Sequence, residues 1–460
     1  MSVRAIVLAA GRGTRMKSDL SKVVFPVAGQ PLVSWVVAAV LEAGADEVTV
    51  VVGHGAEDVE AALPEGVRAV VQDQQLGTAH AATTALAAMG DVSDDTVMVV
   101  PGDSPLLTAD TLRELLTAHA AGEGRCTLLT AVLAEPSGYG RVIRVGDRVR
   151  AIVEERDADE AQREITEVAA STYVFEGAGL VDTLTDVGNE NEQGEYYLTD
   201  AIAAMASDGG VFAVVVDDQQ EVLGVNTHEQ LSAADSAMRR RINAEWMEAG
   251  VWMQDPDTVY IDASVQLAAG VRLYPGTHLE GDAVIGADTE IGPNTVVRDS
   301  QIGSGCRVWF SVVRGAEVAD GVEVGPYASL RPGTVMADDS KAGTFVELKA
   351  TSLGKGSKIP HLSYVGDASI GEQSNLGAGT ITCNYDGFNK HRTVIGDRVF
   401  IGSDTMLVAP VQIEDDAYTG AGSVITKDVA AGSLAVERSS QKELPGYADR
   451  RARLAESEGE

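Results

Sequence analysis

The chain has 460 residues, which is enough for two or three domains with separate hydrophobic cores. Hydrophobic residues make up 45% of it and aromatic residues only 5%, so its apolar content is mainly aliphatic. Such a composition is typical of ordered α/β and repeat proteins and excludes disorder over most of the chain. The formal net charge of -34 argues against nucleic-acid binding and against an anionic membrane surface, because both need a basic face.

Cysteine content and the N-terminus indicate the compartment. The three cysteines, Cys126, Cys306 and Cys383, are too few and too scattered for a disulfide framework, and they form no zinc-type pair. The short apolar run from Val3 to Ala10 leads directly into Gly-Arg-Gly, which favours a buried strand over a signal peptide. Since no apolar stretch is long enough to span a bilayer, we expect a cytoplasmic protein that does not enter the membrane.

The first part of the chain, 1–226, alternates Val/Ile-rich runs with Ala/Leu-rich segments. This alternation predicts a Rossmann-like α/β domain with a parallel sheet flanked by helices. Strands are expected at 3–10, 48–52, 67–71, 97–100 and 211–216. In open sheets of this kind ligands bind beyond the carboxyl ends of the strands, so we expect the chemistry at the turns after Ala10, Val71 and Val100.

A connecting helix is predicted over 227–250. Thr227 and Gln230 have the spacing of a capping box, and Gly250 is suited to end the helix. The apolar positions that would share one face of this helix are Leu231, Ala234, Met238 and Ile242.

From 251 to 438 aliphatic residues recur at every sixth position, often followed by glycine. This is the hexapeptide signature of a parallel β-helix, which is left-handed in the known hexapeptide families. A polar segment from Cys383 to Arg392 interrupts the period and predicts a protruding loop. The tail, 439–460, is charged and aperiodic. The periodic positions are Ile285, Ile291, Val318, Val324, Leu330, Met336, Leu353, Ile359, Val365, Ile370, Leu376, Thr382, Ile395, Ile401, Leu407 and Ile413.

The first strand is followed by Leu8-Ala-Ala-Gly-Arg-Gly-Thr-Arg-Met-Lys17. Glycines allow the backbone to approach a phosphate chain, and neighbouring cations supply positive charge. The segment lacks the third glycine of a dinucleotide fingerprint and the Gly-Lys-Ser/Thr of a Walker A loop, so neither of those sites is predicted.

Further motifs follow at strand ends in a fixed order: Gln72-Asp-Gln-Gln-Leu-Gly77-Thr78, Gly102-Asp103, Gly138-Tyr-Gly140-Arg141, Ile152-Val-Glu154 and Gly224-Val-Asn226. With the first segment they closely resemble the sugar-phosphate nucleotidyltransferases. Within that group they are similar to the uridyltransferase half of the bifunctional N-acetylglucosamine-1-phosphate uridyltransferase/glucosamine-1-phosphate acetyltransferases, and the resemblance extends over nearly the whole chain.

That resemblance implies attack of a sugar phosphate on the α-phosphorus of UTP with release of pyrophosphate. It implies Mg²⁺ held by Asp103 and Asn226, two hard oxygen ligands. Arg15 and Lys22 would act on phosphates as catalytic residues, Gln72, Gly77 and Thr78 would bind uracil, and Gly140 and Glu154 the sugar. The other implied UTP and UDP-N-acetylglucosamine contacts are Leu8, Ala9, Ala10, Gly11, Gly13 and Gly102.

Three departures from the family pattern bear on this site. Ala169-Ala170-Ser171 stands where the family usually has an Asn-x-Gly step that contacts the N-acetyl sugar. Pro101 before Gly102-Asp103 and Phe25-Pro26 after Lys22 are also unusual for the group. Either the sugar contact is replaced, or this half accepts another sugar-1-phosphate.

The β-helix carries polar residues that its coils do not require, and these resemble the acetyltransferase half of the same family. The resemblance implies His361 as the base that removes a proton as the amine attacks acetyl-coenzyme A, a role that suits histidine. Arg331 and Lys349 would clamp the sugar phosphate, and Tyr364, Asn375 and Lys390 would orient the sugar. The implied acetyl-coenzyme A contacts are Ala378, Asn384, Tyr385, Ser403, Ala421 and Arg438.

Three other histidines, His54, His80 and His391, are interpreted as ordinary turn, helix and loop residues. The family also implies a homotrimer in which the loop from Cys383 to Arg392 reaches a neighbouring subunit.

Four functions stay open at this point. The leading one is a two-step enzyme that acetylates glucosamine-1-phosphate and then transfers uridylyl to it, making UDP-N-acetylglucosamine. In the second, the β-helix only mediates oligomerisation beside a nucleotidyltransferase; His361 and the Asn384-Tyr385 loop argue against it. The third, a non-enzymatic scaffold, would not need Lys22 or the pair Asp103 and Asn226. The fourth keeps acetyl transfer but gives the N-terminal half another sugar phosphate.

Overall fold

The structure is a computed structural model that describes residues 2–122, 124–191, 194–207 and 210–457. It divides into two compact units, Met1–Ala244 and Glu245–Glu460. Each unit has its own core and is described by itself. The last three residues of the predicted tail, 458–460, lie outside the described part of the chain.

The first unit is built on a sheet flanked by helices. Its strands are β1 (Val3–Ala9), β2 (Pro26–Val27), β3 (Gln30–Pro31), β4 (Glu47–Val52), β5 (Arg68–Val71), β6 (Thr96–Pro101), β7 (Cys126–Val132), β8 (Arg141–Val145), β9 (Arg148–Val153), β10 (Glu167–Glu176) and β11 (Val211–Val215). Its helices are α1 (Leu32–Glu42), α2 (Ala56–Ala61), α3 (Thr78–Met89), α4 (Ala109–Ala121), α5 (Glu160–Arg163), α6 (Gly177–Leu184) and α7 (Leu198–Ser207).

The main sheet has the strand order β11-β7-β10-β6-β1-β4-β5. Strands β6, β1, β4 and β5 are parallel, as their valine-rich sequences predict. The first three are largely buried, whereas β5 at the edge of the sheet is partly exposed. Strand β10, which was not among the predicted strands, runs antiparallel to both β6 and β7. The hairpin of β8 and β9, which joins the sheet through β10, turns the chain around so that β10 enters from the opposite end.

Two buried clusters fill the two faces of this sheet. One includes Val7, Val50 and Val100 with the α1 residues Val36 and Val40. The other packs the opposite face of the sheet against α3, α6 and α7. With both faces covered, the open part of the sheet is its carboxyl edge, where the turns after β1, β5 and β6 lie.

Helix α8 (His228–Glu248) follows the sheet. The Thr227 hydroxyl caps it by accepting a hydrogen bond from the Gln230 N–H at 3.2 Å. The reciprocal bond is displaced by one residue, because Gln230 Oε1 accepts from the backbone N–H of Asn226 instead of Thr227. Gly250, at φ 96°, follows the helix in a left-handed conformation that favours glycine.

The second unit is a left-handed parallel β-helix with three faces. The first face holds β12 (Trp252–Met253), β15 (Arg272–Leu273), β18 (Glu290–Ile291), β21 (Arg307–Val308), β24 (Glu323–Val324), β31 (Asn375–Leu376), β34 (Phe400–Ile401), β37 (Tyr418–Thr419) and β39 (Leu434–Ala435). The second holds β13 (Tyr260–Ile261), β16 (His278–Glu280), β19 (Val296–Arg298), β22 (Val312–Arg314), β25 (Ser329–Leu330), β32 (Ile381–Cys383), β35 (Met406–Val408) and β38 (Val424–Ile425). The third holds β14 (Gln266–Leu267), β17 (Val284–Ile285), β20 (Gln301–Ile302), β23 (Glu317–Val318), β26 (Val335–Met336), β28 (Ser352–Leu353), β30 (Ala368–Ile370), β33 (Thr393–Ile395) and β36 (Val411–Ile413).

Two longer strands, β27 (Lys341–Lys349) and β29 (Lys358–Gly366), run through the corner between the first and second faces. They pair with each other in parallel register from Lys341 opposite Lys358 to Lys349 opposite Gly366. Most of the polar residues singled out in the β-helix sequence lie on these strands or on the coils that follow.

The six-residue period is confirmed, because all of the aliphatic positions named for it, and Thr382, are buried. Each coil places one such residue on each face. Residues on the same face of successive coils are partners in parallel pairing, as Ile291 is with Val308 and Ile395 with Ile413. Burial of these stacked side chains is the main source of stability in this unit.

The predicted protruding loop is present between β32 and β33. Asp386 organises it by accepting hydrogen bonds from the N–H groups of Phe388 and Asn389 and from His391 Nε2. Phe388 at its tip is 90% exposed. After the last coil the tail contains one helix among its described residues, α9 (Tyr447–Ser457), and that helix is exposed throughout. In the described residues no helix is long and apolar enough to cross a membrane.

Candidate active sites

A cavity of about 780 Å³ lies at the carboxyl edge of the first unit's sheet. It is lined by many of the residues predicted to bind the nucleotide: Leu8, Ala9, Ala10, Gly11, Lys22, Gln72, Gly77, Thr78 and Asp103. Arg12, one of the cations expected beside the phosphate chain, also lines it, and so do Gln75, Ser171 and Glu195, which were not predicted as contacts. Arg12 Nε donates to Gln75 Oε1 at 2.9 Å, so a cation is held beside the turn after β5.

Lys22, Asp103 and Asn226 meet at this cavity although they are far apart in the sequence. The Lys22 ammonium forms an ion pair with the Asp103 carboxylate and donates to Asn226 Oδ1 at 2.6 Å. The side chains of Lys22 and Asp103 are only 12% and 18% exposed. One cation therefore already contacts the two oxygens predicted to hold Mg²⁺.

This contact tests whether the two residues suit a metal ion. Both oxygens converge on a single positively charged atom, and a carboxylate and an amide oxygen are hard donors of the kind that Mg²⁺ takes. A magnesium ion commonly uses one or two protein oxygens and leaves its other positions to water and phosphate. The pair fits such an ion. No group of three or more His, Cys, Asp or Glu side chains arranged for a metal occurs in the part of the chain that the structure describes.

Gln72 is held in a defined orientation on the cavity wall. Its Nε2 donates to the Gly77 carbonyl at 3.2 Å and to His80 Nδ1 at 2.8 Å, and the side chain is buried. His80, interpreted from the sequence as an ordinary helix residue, therefore contacts a predicted uracil-binding residue. Gly77 has φ 116°, and an added Cβ would lie 2.4 Å from the Tyr196 carbonyl oxygen, so only glycine fits there.

A smaller cavity of about 150 Å³ adjoins the first, and Pro101, Asp103 and Ser171 line both. It also contains the predicted sugar contacts Gly140 and Glu154. The segment Ala169-Ala170-Ser171, which differs from the family pattern, forms part of its wall. Ser171 has φ 54°, a left-handed conformation in which the family's glycine would be less strained.

Burial raises the pKa of the Glu154 carboxyl, and the negative charges of Asp157 and Asp200 raise it further against a hydrogen bond from Thr199. Because the folded protein then binds a proton more tightly than the unfolded chain, Glu154 makes the folded state less stable as pH rises above the carboxyl's ordinary value. We therefore expect Glu154→Gln to raise the melting temperature of the first unit at pH 8 by about 2–4 °C, as roughly 1 kcal/mol would do. The gain should disappear near pH 4.

Calorimetry at the two pH values measures this effect. Glu155→Gln is the matched control, because hydrogen bonds from Arg141 and Gly138 lower the pKa of Glu155 despite some desolvation. That substitution should not stabilise the protein at pH 8. An equal gain for Glu154→Gln at both pH values would contradict the explanation.

Three predicted nucleotide contacts lie elsewhere. Arg15 is exposed on the turn Thr14–Met16, which is anchored by the buried Met16, and it lines neither cavity. Gly13 (φ 58°) packs on the stem of Lys22, where an added Cβ would lie 2.8 Å from Lys22 Cβ. Gly102 donates its N–H to the Leu8 carbonyl at 2.9 Å and so holds the turn after β6 against β1. The two glycines position Lys22 and Asp103, and a phosphate contact of Arg15 stays a prediction.

On the β-helix, the predicted phosphate clamp lies on neighbouring coils. The backbone N–H of Arg331 donates to the Leu348 carbonyl, which places Arg331 beside Lys349. Each cation has an acidic partner that sequence reasoning missed. Arg331 Nη1 contacts Glu347 at 2.9 Å, and Lys349 Nζ donates to both oxygens of Asp367 at 2.7 and 2.9 Å.

Asp367 connects the two predicted ligand sets. Asn384 Nδ2, predicted to contact acetyl-coenzyme A, donates to Asp367 Oδ2 at 2.6 Å and contacts the Tyr364 hydroxyl at 3.4 Å. Burial would raise the pKa of Asp367, but the hydrogen bonds from Lys349 and Asn384 and the charge of Lys390 hold it below its usual range. The hydrogen bond to Asp367 is also the main reason that the pKa of Lys349 is raised.

Gly366 makes this arrangement possible. A Cβ at that position would lie 2.4 Å from the Tyr364 hydroxyl and 2.9 Å from Asn384 Nδ2. The absence of a side chain therefore allows Tyr364, Asp367 and Asn384 to meet above the strand.

The other predicted acetyl-coenzyme A contacts form a column along one corner of the β-helix. Successive coils are linked there by hydrogen bonds from Gly379 N to Leu362 O, Asp404 N to Ala378 O and Gly422 N to Ser403 O, at 2.7–2.9 Å. Arg438 Nη1 closes the series by donating to the Ala421 carbonyl at 2.7 Å. His361 is exposed and precedes Leu362, so it lies at the end of the column that comes first in the chain.

Two predicted residues lie apart from these groups. Asn375 is on the first face, paired with Lys358 and Phe400. Tyr385 is on the protruding loop, where it bridges to Lys390 and its hydroxyl donates to the Gly387 carbonyl at 2.5 Å.

Comparisons with known proteins match both units of the fold. The family model of the MobA-like NTP transferase domain matches residues 5–172, and that of the bacterial transferase hexapeptide matches residues 392–427. A relative from Caldanaerobacter subterraneus, named bifunctional protein GlmU, is 47% identical over 97% of this chain and 98% of its own length. Relatives with the same name from Heliobacterium modesticaldum and Desulfitobacterium hafniense are 48% and 44% identical, over 95% and 96% of this chain and 96% and 98% of their own.

The chain belongs to the GlmU family. Like other GlmU proteins it is a bifunctional transferase, which joins a nucleotidyltransferase to an acetyltransferase and makes UDP-N-acetylglucosamine. GlmU membership rules out the non-enzymatic scaffold and the purely oligomerising β-helix considered from the sequence.

Proposed function

We propose that the two reactions occur at the two groups of residues described above. Acetyl-coenzyme A would acetylate glucosamine-1-phosphate on the β-helix, and UTP would then react with N-acetylglucosamine-1-phosphate at the edge of the sheet. The proposal keeps the domain limits predicted from the sequence: 1–226 for the nucleotidyltransferase, 227–250 for the linker helix, 251–438 for the acetyltransferase and 439–460 for the tail. The observation that carries the assignment is that cationic and polar side chains from distant parts of the sequence meet in one group in each of the two units.

The nucleotidyltransferase site needs no covalent nucleophile. It must align a sugar phosphate with the α-phosphate of UTP and neutralise charge. The larger cavity would bind the nucleotide, with Gln72 and Thr78 in contact with its uracil base. The smaller cavity would bind the sugar, with Glu154 as a hydrogen-bond acceptor. Mg²⁺ would be held by Asp103 and Asn226 and would neutralise charge on the phosphates.

The hydrogen bonds of Gln72 support a choice of base. Since its Nε2 is engaged by Gly77 and His80, the amide presents Oε1 as an acceptor. Uracil offers an N3–H donor to such an acceptor, whereas cytosine has a lone pair at N3.

The acetyltransferase site would bring the sugar amine to the thioester beside His361. Coenzyme A would lie along the column from Ala378 to Arg438, because that column ends at His361. Arg331, Lys349 and Lys390 would bind the sugar phosphate, and the imidazole of His361 would take a proton from the amine as it attacks the thioester carbonyl.

One assay tests the assignment as a whole. The purified protein is incubated with glucosamine-1-phosphate, acetyl-coenzyme A, UTP and Mg²⁺, and the products are detected by mass. Without acetyl-coenzyme A the reactions should stop before any sugar nucleotide forms. Added N-acetylglucosamine-1-phosphate should restore formation of the sugar nucleotide. A comparison with other sugar-1-phosphates shows whether Ala169 changes sugar choice.

We also propose a homotrimer in the cytoplasm. An exposed row of aromatic rings supports self-association. Tyr327 stacks on Phe345 and lies against the tilted ring of Phe310, and Tyr327 and Phe345 are 56% and 58% exposed. Light scattering should give three times the mass of the chain.

Free thiols at all three cysteines support a reducing compartment.

A further inference from the structure

The strongest unexplained feature is the contact of Lys22 with both proposed metal ligands. The Lys22 ammonium pairs with the Asp103 carboxylate and with Asn226 Oδ1, and the three groups are largely shielded from solvent. Its stem is confined by Gly13. Ion pairs in such places are stronger than exposed ones, and a buried ammonium that loses its partners is strongly destabilised.

A divalent cation and the Lys22 ammonium compete for these two oxygens, because an ion bound to both would lie next to the ammonium. Each needs direct contact with Asp103 and Asn226, and two positive charges so close together would repel each other. A metal ion can therefore bind only when Lys22 withdraws, and the free energy of breaking its ion pair is subtracted from the affinity for metal.

The phosphates of a nucleotide offer Lys22 an alternative partner. Lys22 lines the same 780 Å³ cavity as the glycine-rich segment after β1 and the Gln72 region. An anionic phosphate oxygen there would compensate the ammonium that leaves Asp103. The nucleotide would thus lower the free energy needed to vacate the metal ligands.

From these contacts we propose that Lys22 is an internal cation that suppresses divalent metal binding in the nucleotide-free protein, so that metal and nucleotide bind with positive coupling. The proposal rests on the metal role given to Asp103 and Asn226 above. Coupling between two ligands is reciprocal, so metal must increase nucleotide affinity by the same factor as nucleotide increases metal affinity.

Binding of Mn²⁺ alone to the full-length protein tests this without catalysis. Free Mn²⁺ is measured by electron paramagnetic resonance during titration of the wild type and of Lys22→Met, whose side chain keeps most of the stem. We expect Lys22→Met to bind Mn²⁺ at least about tenfold more tightly, a coupling within the usual range. Lys17→Met removes an equal charge from an exposed side chain on the same segment and should bind like the wild type.

Two further variants identify where the ion binds. Lys22→Arg keeps a cation and should retain weak binding, whereas Lys22→Met combined with Asp103→Asn should lose the gain. Thermal melting of the first unit in each variant verifies that this unit is folded. Equal or weaker Mn²⁺ binding by Lys22→Met would overturn the proposal, and so would a gain that survives Asp103→Asn.

The metal assignment itself can fail separately. If Asp103→Asn leaves uridylyl transfer intact, the proposed metal ligands are wrong. If that variant loses uridylyl transfer while Lys22→Met binds Mn²⁺ like the wild type, only the internal-cation proposal is wrong.

Discussion

Replacing His361 by alanine should lower the kcat of acetyl transfer by about 10²–10⁴-fold, the usual contribution of a positioned general base. The residue lies at the end of the column proposed for coenzyme A, exposed and free to meet an incoming amine. Loss of the imidazole should therefore slow the chemical step more than it weakens substrate binding. Thiol release from acetyl-coenzyme A, measured at saturating glucosamine-1-phosphate, gives kcat directly.

The same variant should still transfer uridylyl from UTP to added N-acetylglucosamine-1-phosphate at the wild-type rate. His278→Ala is a suitable control, because His278 lies on an earlier coil of the same β-helix and stacks on Tyr260. It should retain acetyl transfer. A His361→Ala protein that acetylates within a factor of ten of the wild type would show that another group accepts the proton.

The β-helix could be predicted almost completely from the sequence, and the reason is physical. Every coil repeats the same local environment, so the buried positions from Ile285 to Ile413 recur at steps of six residues, or of five at some corners. The parallel strands of the first unit were also predicted, since β1, β4 and β6 are buried on both faces. The antiparallel strand β10 was not predicted, because nothing in its apolar pattern indicates the direction in which it enters the sheet.

The site residues show a similar limit. Family motifs located Lys22, Asp103 and Asn226 but could not reveal that they contact one another, since 81 residues separate the first two and 204 separate Lys22 from Asn226. Asp367 and Glu347 were missed because an acidic residue beside a predicted phosphate clamp is unexpected until its partner is known. Only the fold shows that they hold Lys349 and Arg331 in place.

Substitution of Asp103 by alanine should slow uridylyl transfer strongly and leave acetylation unchanged. The carboxylate is a proposed metal ligand and the ion-pair partner of Lys22, so its loss removes charge neutralisation at the phosphates. We expect kcat to fall by about 10³-fold, since the loss of a single group that stabilises charge in the transition state commonly lowers kcat by 10²–10³. Pyrophosphate release from UTP and N-acetylglucosamine-1-phosphate measures the effect.

Two outcomes separate a catalytic from a structural cause. The unpaired Lys22 of Asp103→Ala could disturb the turn after β1, so melting of the first unit should be followed in parallel. Lys22→Met combined with Asp103→Ala removes the unpaired charge and should restore stability without restoring uridylyl transfer. If the double variant regained activity, Asp103 would serve to neutralise Lys22, and the metal would have to be held by other groups at this edge of the sheet.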